Sequence, residues 1–137
     1  MIRFAGSVLI KNKHVILAKR TSSLKNFPNL FEFPGGKIEK DESPKQALVR
    51  KLEEGLKIKV EIDNIIEFPS NTHVNILEKD DELILRTLFI IKKWQGEISI
   101  NDQIHSDLAY VRISELANFK GFIPVDELIV KKIIASL

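Results

Sequence analysis

Residues 35–58, GGKIEKDESPKQALVRKLEEGLKI, decide the fold class of this 137-residue chain. The Gly-Gly pair predicts a turn, and Ser43 behind it is a good helix N-cap. Pro44 suits the first helical position, and Gln46 completes a capping box with Ser43. Apolar residues then recur at positions 48, 49, 52 and 56, which is helical spacing. The stretch therefore predicts a glycine turn that leads into an amphipathic helix.

Acidic side chains accompany this predicted helix. Glu42 lies just before the helix, and Glu54 lies inside it, on the face that it shares with Lys51 and Gly55. Glycines let phosphate oxygens approach a backbone closely, and nearby carboxylates can hold Mg2+ against those oxygens. The pattern favours a site for a phosphate-bearing ligand together with a divalent ion.

The rest of the chain alternates between strand-like and helical stretches. Strands are predicted at 4–10, 14–18, 57–66, 82–94 and 110–111, and a long loop at 21–29. A helical turn is predicted at 114–116, and an amphipathic helix at 126–137. Elements mixed in this way predict an α/β fold, with a sheet that is covered by helices on both faces.

Composition narrows the class of protein further. Hydrophobic residues make up 44% and charged residues 29%, which is typical of a globular domain, and we expect one domain over 1–137. The net charge of +2 indicates neither nucleic acid nor a membrane surface as a partner. Cysteine is absent, which fits a reducing cytoplasm and excludes disulfides and thiolate sites. No stretch has the ~18 apolar residues of a membrane span.

The spacing of the central stretch closely resembles the Nudix box of MutT-like proteins, G-x5-E-x7-R-E-U-x-E-E-x-G-U, where U is aliphatic. Gly36, Glu42 and Arg50 match it without a gap, and Leu52 and Ile58 stand at aliphatic positions. Further resemblances to that family extend over most of the chain and lie at 30–44, 94–97, 105–116 and 123–126.

The resemblance implies an α/β/α sandwich with a mixed β-sheet between helices. It also implies a hydrolase of nucleoside polyphosphates, of the 8-oxo-dGTP diphosphatase or nucleoside triphosphate pyrophosphohydrolase type, which releases a monophosphate and pyrophosphate. In that chemistry Mg2+ (or Mn2+) bridges the phosphates while a glutamate activates water. The implied partner is a small nucleotide; the chain is a monomer or a homodimer.

Site residues follow from the matched positions. The resemblance assigns catalytic roles to Glu54, Glu42 and Arg50, and metal binding to Glu54 and Gly36. Expected contacts to substrate are Arg20, Glu32, Gly35, Gly36, Lys37, Lys51 and Asp126.

Several of these residues have a structural alternative. Glu54 either binds metal or pairs with Arg50 or Lys51 along a solvated helix. Arg50 is expected to brace the loop through Glu42. Asp126 either contacts the base of a nucleotide or caps the last helix. The three histidines are scattered along the sequence, which argues against a histidine metal site.

The box is degenerate at three positions. Lys51 and Gly55 stand where the motif has glutamates, and Lys57 stands where it has glycine. Glu53 cannot replace the lost acids, because it points about 160° away from Lys51 around the helix. The family often has a further acidic residue in a later loop, and the matching position in this chain is Ile104. Asp102 or Asp107 would therefore have to supply that carboxylate. We expect the Lys51 ammonium either to swing away or to take a metal's place against phosphate.

Two hypotheses from different classes remain. The chain is either a weakened MutT-like hydrolase that retains Glu42 and Glu54, or a catalytically inactive nucleotide-binding or regulatory module on the same scaffold.

Overall fold

In the computed structural model, which describes residues 1–69, 74–77 (backbone only) and 83–137, eight strands form one mixed sheet. The strands are β1 (Ile2–Lys11), β2 (His14–Arg20), β3 (Phe31–Glu32), β4 (Gly35–Lys37), β5 (Ile65–Glu67), β6 (Val74–Leu77), β7 (Leu83–Ile91) and β8 (His105–Arg112). The helices are α1 (Pro44–Leu56) and α2 (Pro124–Ile133), with 3-10 turns at Ile62–Asn64, Ile113–Asn118 and Ile134–Ser136.

β1 lies at the centre of the sheet. It pairs in parallel with β7 and antiparallel with β2 and β4, in a path ordered β3-β2-β1-β7-β5. β8 adds to β2 and β6 adds to β7. The turn between β1 and β2 uses Asn12 and Lys13 with φ of 52° and 63°, which suits a tight hairpin. The predicted mixed sheet is confirmed.

α1 covers one face of this sheet. The Ser43 hydroxyl accepts from the Gln46 N–H at 3.1 Å, and the Gln46 side chain accepts from the Ser43 N–H at 2.8 Å, so the predicted capping box is present. Leu48, Leu52 and Leu56 are buried against β1, β2 and β7 in a core that contains Leu9, Ile16, Phe89 and Ile91.

α2 covers the opposite face. Ile129 and Ile133 are fully buried in a second core, together with Val8, Leu17, Phe33 and Leu88. The α/β/α sandwich is therefore confirmed. Among the described residues, neither helix combines the length and the apolar character that a membrane crossing requires.

Several predicted boundaries were wrong. The strand expected at 57–66 is reduced to a bridge between Lys59 and Gln95, a 3-10 turn and the short β5. β7 ends at Ile91 rather than at 94, while residue 82 lies outside the described residues. β8 is longer than 110–111, because it pairs along most of β2. The last helix begins at Pro124 rather than at Asp126 and ends in a 3-10 turn.

A buried ion pair ties α2 to the sheet. Arg86, on β7, donates from Nε and Nη2 to the two carboxylate oxygens of Asp126, each at 2.9 Å, and from Nη2 to the Phe33 carbonyl at 2.8 Å. The Phe33 N–H donates to Asp126 Oδ2 at 2.9 Å. Burial acts to lower the pKa of Arg86, but the Asp126 carboxylate outweighs it and raises that pKa, so the guanidinium stays charged.

We expect Arg86→Met to lower the free energy of unfolding by about 3–5 kcal/mol, because it leaves the Asp126 carboxylate buried without its partner. Urea denaturation measures the change. Arg3→Met, at an exposed position on the neighbouring β1, is the control and should stay within about 0.5 kcal/mol of the unmodified chain. The double variant Arg86→Met, Asp126→Leu should regain most of the loss; if it unfolds as easily as Arg86→Met, the unpaired charge is not the cause.

Candidate functional site

The Gly-Gly pair lies in a strand and not in the predicted turn. Gly35 and Gly36 belong to β4, opposite Gly6 and Ala5 of β1. A Cβ added at Gly35 would collide with the Ala5 carbonyl oxygen, and a Cβ at Gly36 would lie 2.6 Å from Lys51 Cε. Gly35 therefore requires glycine because its backbone packs against that of β1, whereas a side chain at Gly36 would require the flexible Lys51 side chain to move; neither glycine has a positive φ.

Glu42 and Arg50 brace the segment between β4 and α1. Arg50 donates from Nε and Nη2 to the Glu42 carboxylate at 2.8 and 2.9 Å, and from Nη2 to the Lys37 carbonyl at 3.0 Å. The Glu39 N–H also donates to Glu42, at 2.9 Å. These bonds give the expected bracing role of Arg50, and they occupy both carboxylate oxygens of Glu42. The catalytic roles of the two residues stay predictions.

Glu54 makes both of the ion pairs that were considered as alternatives to metal binding. Its carboxylate lies 3.7 Å from Arg50 Nη1 and 3.4 Å from Lys51 Nζ, and its side chain is 51% exposed. The stem of Lys51 passes over Gly36 and holds the ammonium beside Glu54. Lys51 has therefore not swung away from the site. Glu53 is exposed on another side of α1, as predicted.

A cavity of about 320 Å3, the main cavity, lies between β4, β7 and the loop at 21–29. Six of the predicted substrate contacts line it: Arg20, Glu32, Gly35, Gly36, Lys37 and Lys51. Its apolar wall is formed by Phe4, Phe27, Ile84, Ile104, Ile123 and Val125. The volume falls at the lower end of the range for small-molecule sites. A second, more open pocket of about 390 Å3 lies on the outer side of α1, and no residue of β4 lines it.

Arg20, Glu32 and His105 lie side by side at the main cavity. Arg20 Nη1 lies 3.0 Å from Glu32 Oε2, and His105 Nε2 lies 3.7 Å from Glu32 Oε1. A bulge in the β2–β8 ladder places His105 opposite Arg20, with Asp107 opposite Lys19. Burial acts to raise the pKa of Glu32, but His105, Arg20 and Arg86 together outweigh it and keep that pKa below its usual value. Glu32 is therefore ionised at neutral pH.

Asp126 is separated from the other predicted contacts. Its carboxylate is fully buried and bonded to Arg86 and Phe33, and it does not line the main cavity. The alternative role as a helix cap is wrong, because Ile123 occupies the N-cap position and Asp126, the third residue of α2, bonds Arg86 and Phe33 instead. Contact with a nucleotide base stays a prediction.

Two residues of the site were missed in the sequence. Arg86 lines the main cavity, and its signal was a charge in the middle of an apolar strand, a position that requires a buried partner. His105 is buried at the cavity, although the histidines were dismissed as scattered. No local pattern marks it, because its neighbours Arg20 and Glu32 come from strands about eighty residues earlier in the chain.

The side chains of this site do not fit a resident divalent ion. Among the described residues, no three Asp, Glu or His side chains form a group that could hold a metal. Glu42 is bonded to Arg50, Glu54 is paired with Lys51, and Ile104 takes the place of a further acid. Asp102 and Asp107 are exposed. They line neither the main cavity nor a smaller cavity of about 50 Å3 beside it, so neither replaces the lost metal ligands in this structure.

The family model described as NUDIX domain matches residues 1–132. The chain belongs to the Nudix family. The predicted membership is thereby confirmed, and so is the MutT-like type, because the relatives below share it. Nudix proteins of this type are pyrophosphohydrolases, bind nucleotides and generally use divalent metal ions.

Similar proteins support this assignment. The chain is 30% identical over 95 residues to the 8-oxo-dGTP diphosphatase of Proteus vulgaris, a match that covers 69% of this chain and 79% of that protein. It is 36% identical over 66 residues to the CTP pyrophosphohydrolase of Escherichia coli (strain K12), and this match spans 48% of each. The solution structure of the E. coli ORF135 protein superimposes with a TM-score of 0.81 at 25% identity, covering 98% of this chain and 89% of that one.

The brace makes the stability of this Nudix domain depend on pH. The Arg50 hydrogen bonds, with help from the Glu39 N–H, lower the pKa of Glu42 from 4.5 to about 2. A carboxyl with a lowered pKa in the folded state contributes stability above its unfolded pKa and loses it as the pH falls towards the folded value. We therefore expect Glu42→Gln to flatten the decline in the free energy of unfolding between pH 4.5 and pH 2.

Urea denaturation at several pH values in this window tests the prediction. Glu53→Gln removes an exposed carboxylate from the same region and should leave the decline unchanged. Equal slopes for Glu42→Gln and the unmodified chain would show that the Glu42 pKa is not lowered.

Proposed function

We propose that the main cavity binds a nucleoside polyphosphate and that the chain hydrolyses it slowly, in the MutT-like manner, to a nucleoside monophosphate and pyrophosphate. One observation carries this proposal: the wall of the main cavity, whose volume is about 320 Å3, combines a glycine pair and two lysines with six apolar side chains. The names of the two relatives, an 8-oxo-dGTP diphosphatase and a CTP pyrophosphohydrolase, agree with this class of ligand.

The glycine-lined end suits the phosphates. Gly35 and Gly36 line this part of the main cavity with backbone atoms, and Lys37 and Lys51 line it with them. Ammonium groups bind phosphate oxygens through charge-assisted hydrogen bonds.

The opposite end suits a sugar and a base. Phe27 is 36% exposed at the mouth of the main cavity and offers a ring face for stacking. Asn26, beside it, is held by the Arg20 Nε, which donates to its carbonyl at 3.0 Å. Ionised Glu32 can accept hydrogen bonds from an exocyclic amine, so bases that have one fit this wall.

A catalytically inactive nucleotide-binding or regulatory module is the second candidate. The Lys51–Glu54 pair favours it, because the ammonium occupies the helical face on which the motif has carboxylates. Under the first function, Mg2+ or Mn2+ would arrive with the phosphates of the nucleotide, and Glu54 and Gly36 are its proposed contacts; the inactive module would bind its ligand without a divalent ion. We also propose that residues 1–137 form one domain that works in the cytoplasm, as a monomer or a homodimer.

The test of turnover is a hydrolysis assay with 8-oxo-dGTP, dGTP, CTP and ATP in Mg2+ and in Mn2+. We expect slow release of pyrophosphate from the unmodified chain. The variant Lys51→Glu, Gly55→Glu restores two motif carboxylates, and a Cβ at Gly55 meets no atom within 4 Å. It should raise the rate by roughly 10- to 100-fold.

The control is Lys40→Glu, Gln46→Glu, which changes the net charge equally at two exposed positions and keeps the capping box. It should leave the rate unchanged. If the unmodified chain binds nucleotides but releases no pyrophosphate, the inactive module is the correct function. If no nucleotide of the panel binds, both candidates are wrong.

A further inference from the structure

His105 is a buried side chain without a hydrogen-bond partner. It is 6% exposed, and among the described residues neither Nδ1 nor Nε2 finds a partner. The carboxylate atom Glu32 Oε1 lies 3.7 Å from His105 Nε2, which is too far for a hydrogen bond. An imidazole always carries at least one N–H, so His105 has a buried donor to offer. Buried polar groups of this kind are rare in folded proteins and require an explanation.

His105 lies where two cavities meet. A small cavity of about 50 Å3 lies beside the main cavity, and its wall includes Lys51, Glu54 and Gly55. His105, Gly35, Lys51 and Ile104 line both cavities, so the small cavity extends the phosphate end of the main one.

The small cavity exists because position 55 has no side chain. A Cβ added at Gly55 would meet no atom within 4 Å, so the space beside it is open. The Nudix motif has a glutamate at this position and another at the position of Lys51. Where the motif has two carboxylates, this chain therefore has an ammonium and open space.

The backbone holds His105 firmly against α1. The Asn101 N–H donates to the Gly55 carbonyl at 3.1 Å, and the His105 N–H donates to the Asn101 carbonyl at 2.9 Å. On the other side, the bulged ladder pairs His105 with Arg20. His105 is thereby held at the end of α1, where it lines the same small space as Lys51.

We propose that the small cavity is a phosphate subsite, in which the Lys51 ammonium and a ring N–H of His105 bind the terminal phosphoryl group of a nucleoside polyphosphate directly, without a divalent ion. This rests on the proposed function for the class of ligand. Without a ligand, the Lys51 ammonium pairs with Glu54; when the nucleotide binds, the phosphoryl group replaces Glu54 as the partner of that ammonium. The preference for triphosphates over monophosphates is consequently built into the chain.

The experiment compares CTP with CMP, and dGTP with dGMP, by calorimetry in EDTA and again in Mg2+. The unmodified chain should prefer the triphosphates to a similar degree in both buffers. Lys51→Met and His105→Phe should each weaken triphosphate binding in EDTA by roughly 10- to 100-fold, because each removes a hydrogen bond to a charged group. Binding of the monophosphates should change by less than about twofold, since they do not reach the small cavity.

Two controls and a steric variant complete the design. Lys40→Met and His14→Gln replace the same residue types outside both cavities and should leave binding unchanged. Gly55→Leu fills the small cavity without changing any charge, and it should abolish the preference for triphosphates. Thermal melts of every variant identify those that fail to fold, and Gly55→Leu then decides the question independently of Lys51 and His105.

The outcomes separate this subsite from the proposed function. If triphosphates are preferred only in Mg2+, the metal-free subsite is wrong, while the proposed function stands. The subsite is also wrong if Lys51→Met, His105→Phe and Gly55→Leu all bind triphosphates as the unmodified chain does. If neither triphosphates nor monophosphates bind in either buffer, the proposed function itself fails.

Discussion

The close pairing of β4 with β1 is the constraint on which the site depends. No Cβ fits at Gly35 against the Ala5 carbonyl, so the two strands approach as closely as backbones can. β4 is tied in turn to α1, because Arg50 bonds both the Lys37 carbonyl and Glu42. The position of Lys51 over Gly36 follows from these contacts, and so does the glycine-lined part of the main cavity.

The framework of the fold could be predicted because its signals are local. The capping box joins residues three positions apart, and the apolar stripe of α1 repeats within two turns. Lys57 ends α1 with φ of 59°, which is the left-handed conformation that the glycine of the motif favours at this position. The backbone therefore keeps its course there despite the substitution, at a strain of roughly 1–2 kcal/mol. This departure from the motif affects stability and leaves the chemistry of the site unchanged.

The rest of the site could not be predicted because its contacts are distant in sequence. Asp126 was considered as a cap because a carboxylate near the start of a helix commonly has that role. Its actual partner, Arg86, lies forty residues earlier on a different element. Similarly, His105 reaches the site only because β8 pairs with β2 and the adjoining turn contacts the end of α1. The periodicity of the sequence predicts none of these long-range contacts.

The changes in the box remove two negative charges and add one positive charge beside the glycine strand, where Glu54 remains as the partner of Lys51. Two carboxylates at positions 51 and 55 would attract divalent ions and repel phosphate unless those ions were present. With Lys51 and Gly55 that repulsion is absent: an ammonium released from Glu54 and placed about 4 Å from a singly charged oxygen would gain roughly 4 kcal/mol at an effective dielectric of about 20. A divalent ion at the same distance from that ammonium loses roughly 8 kcal/mol. Random loss of acids explains a weak metal site, whereas a half-buried ammonium and a buried imidazole without a hydrogen-bond partner, which line the same small cavity, form an arrangement suited to binding an anion.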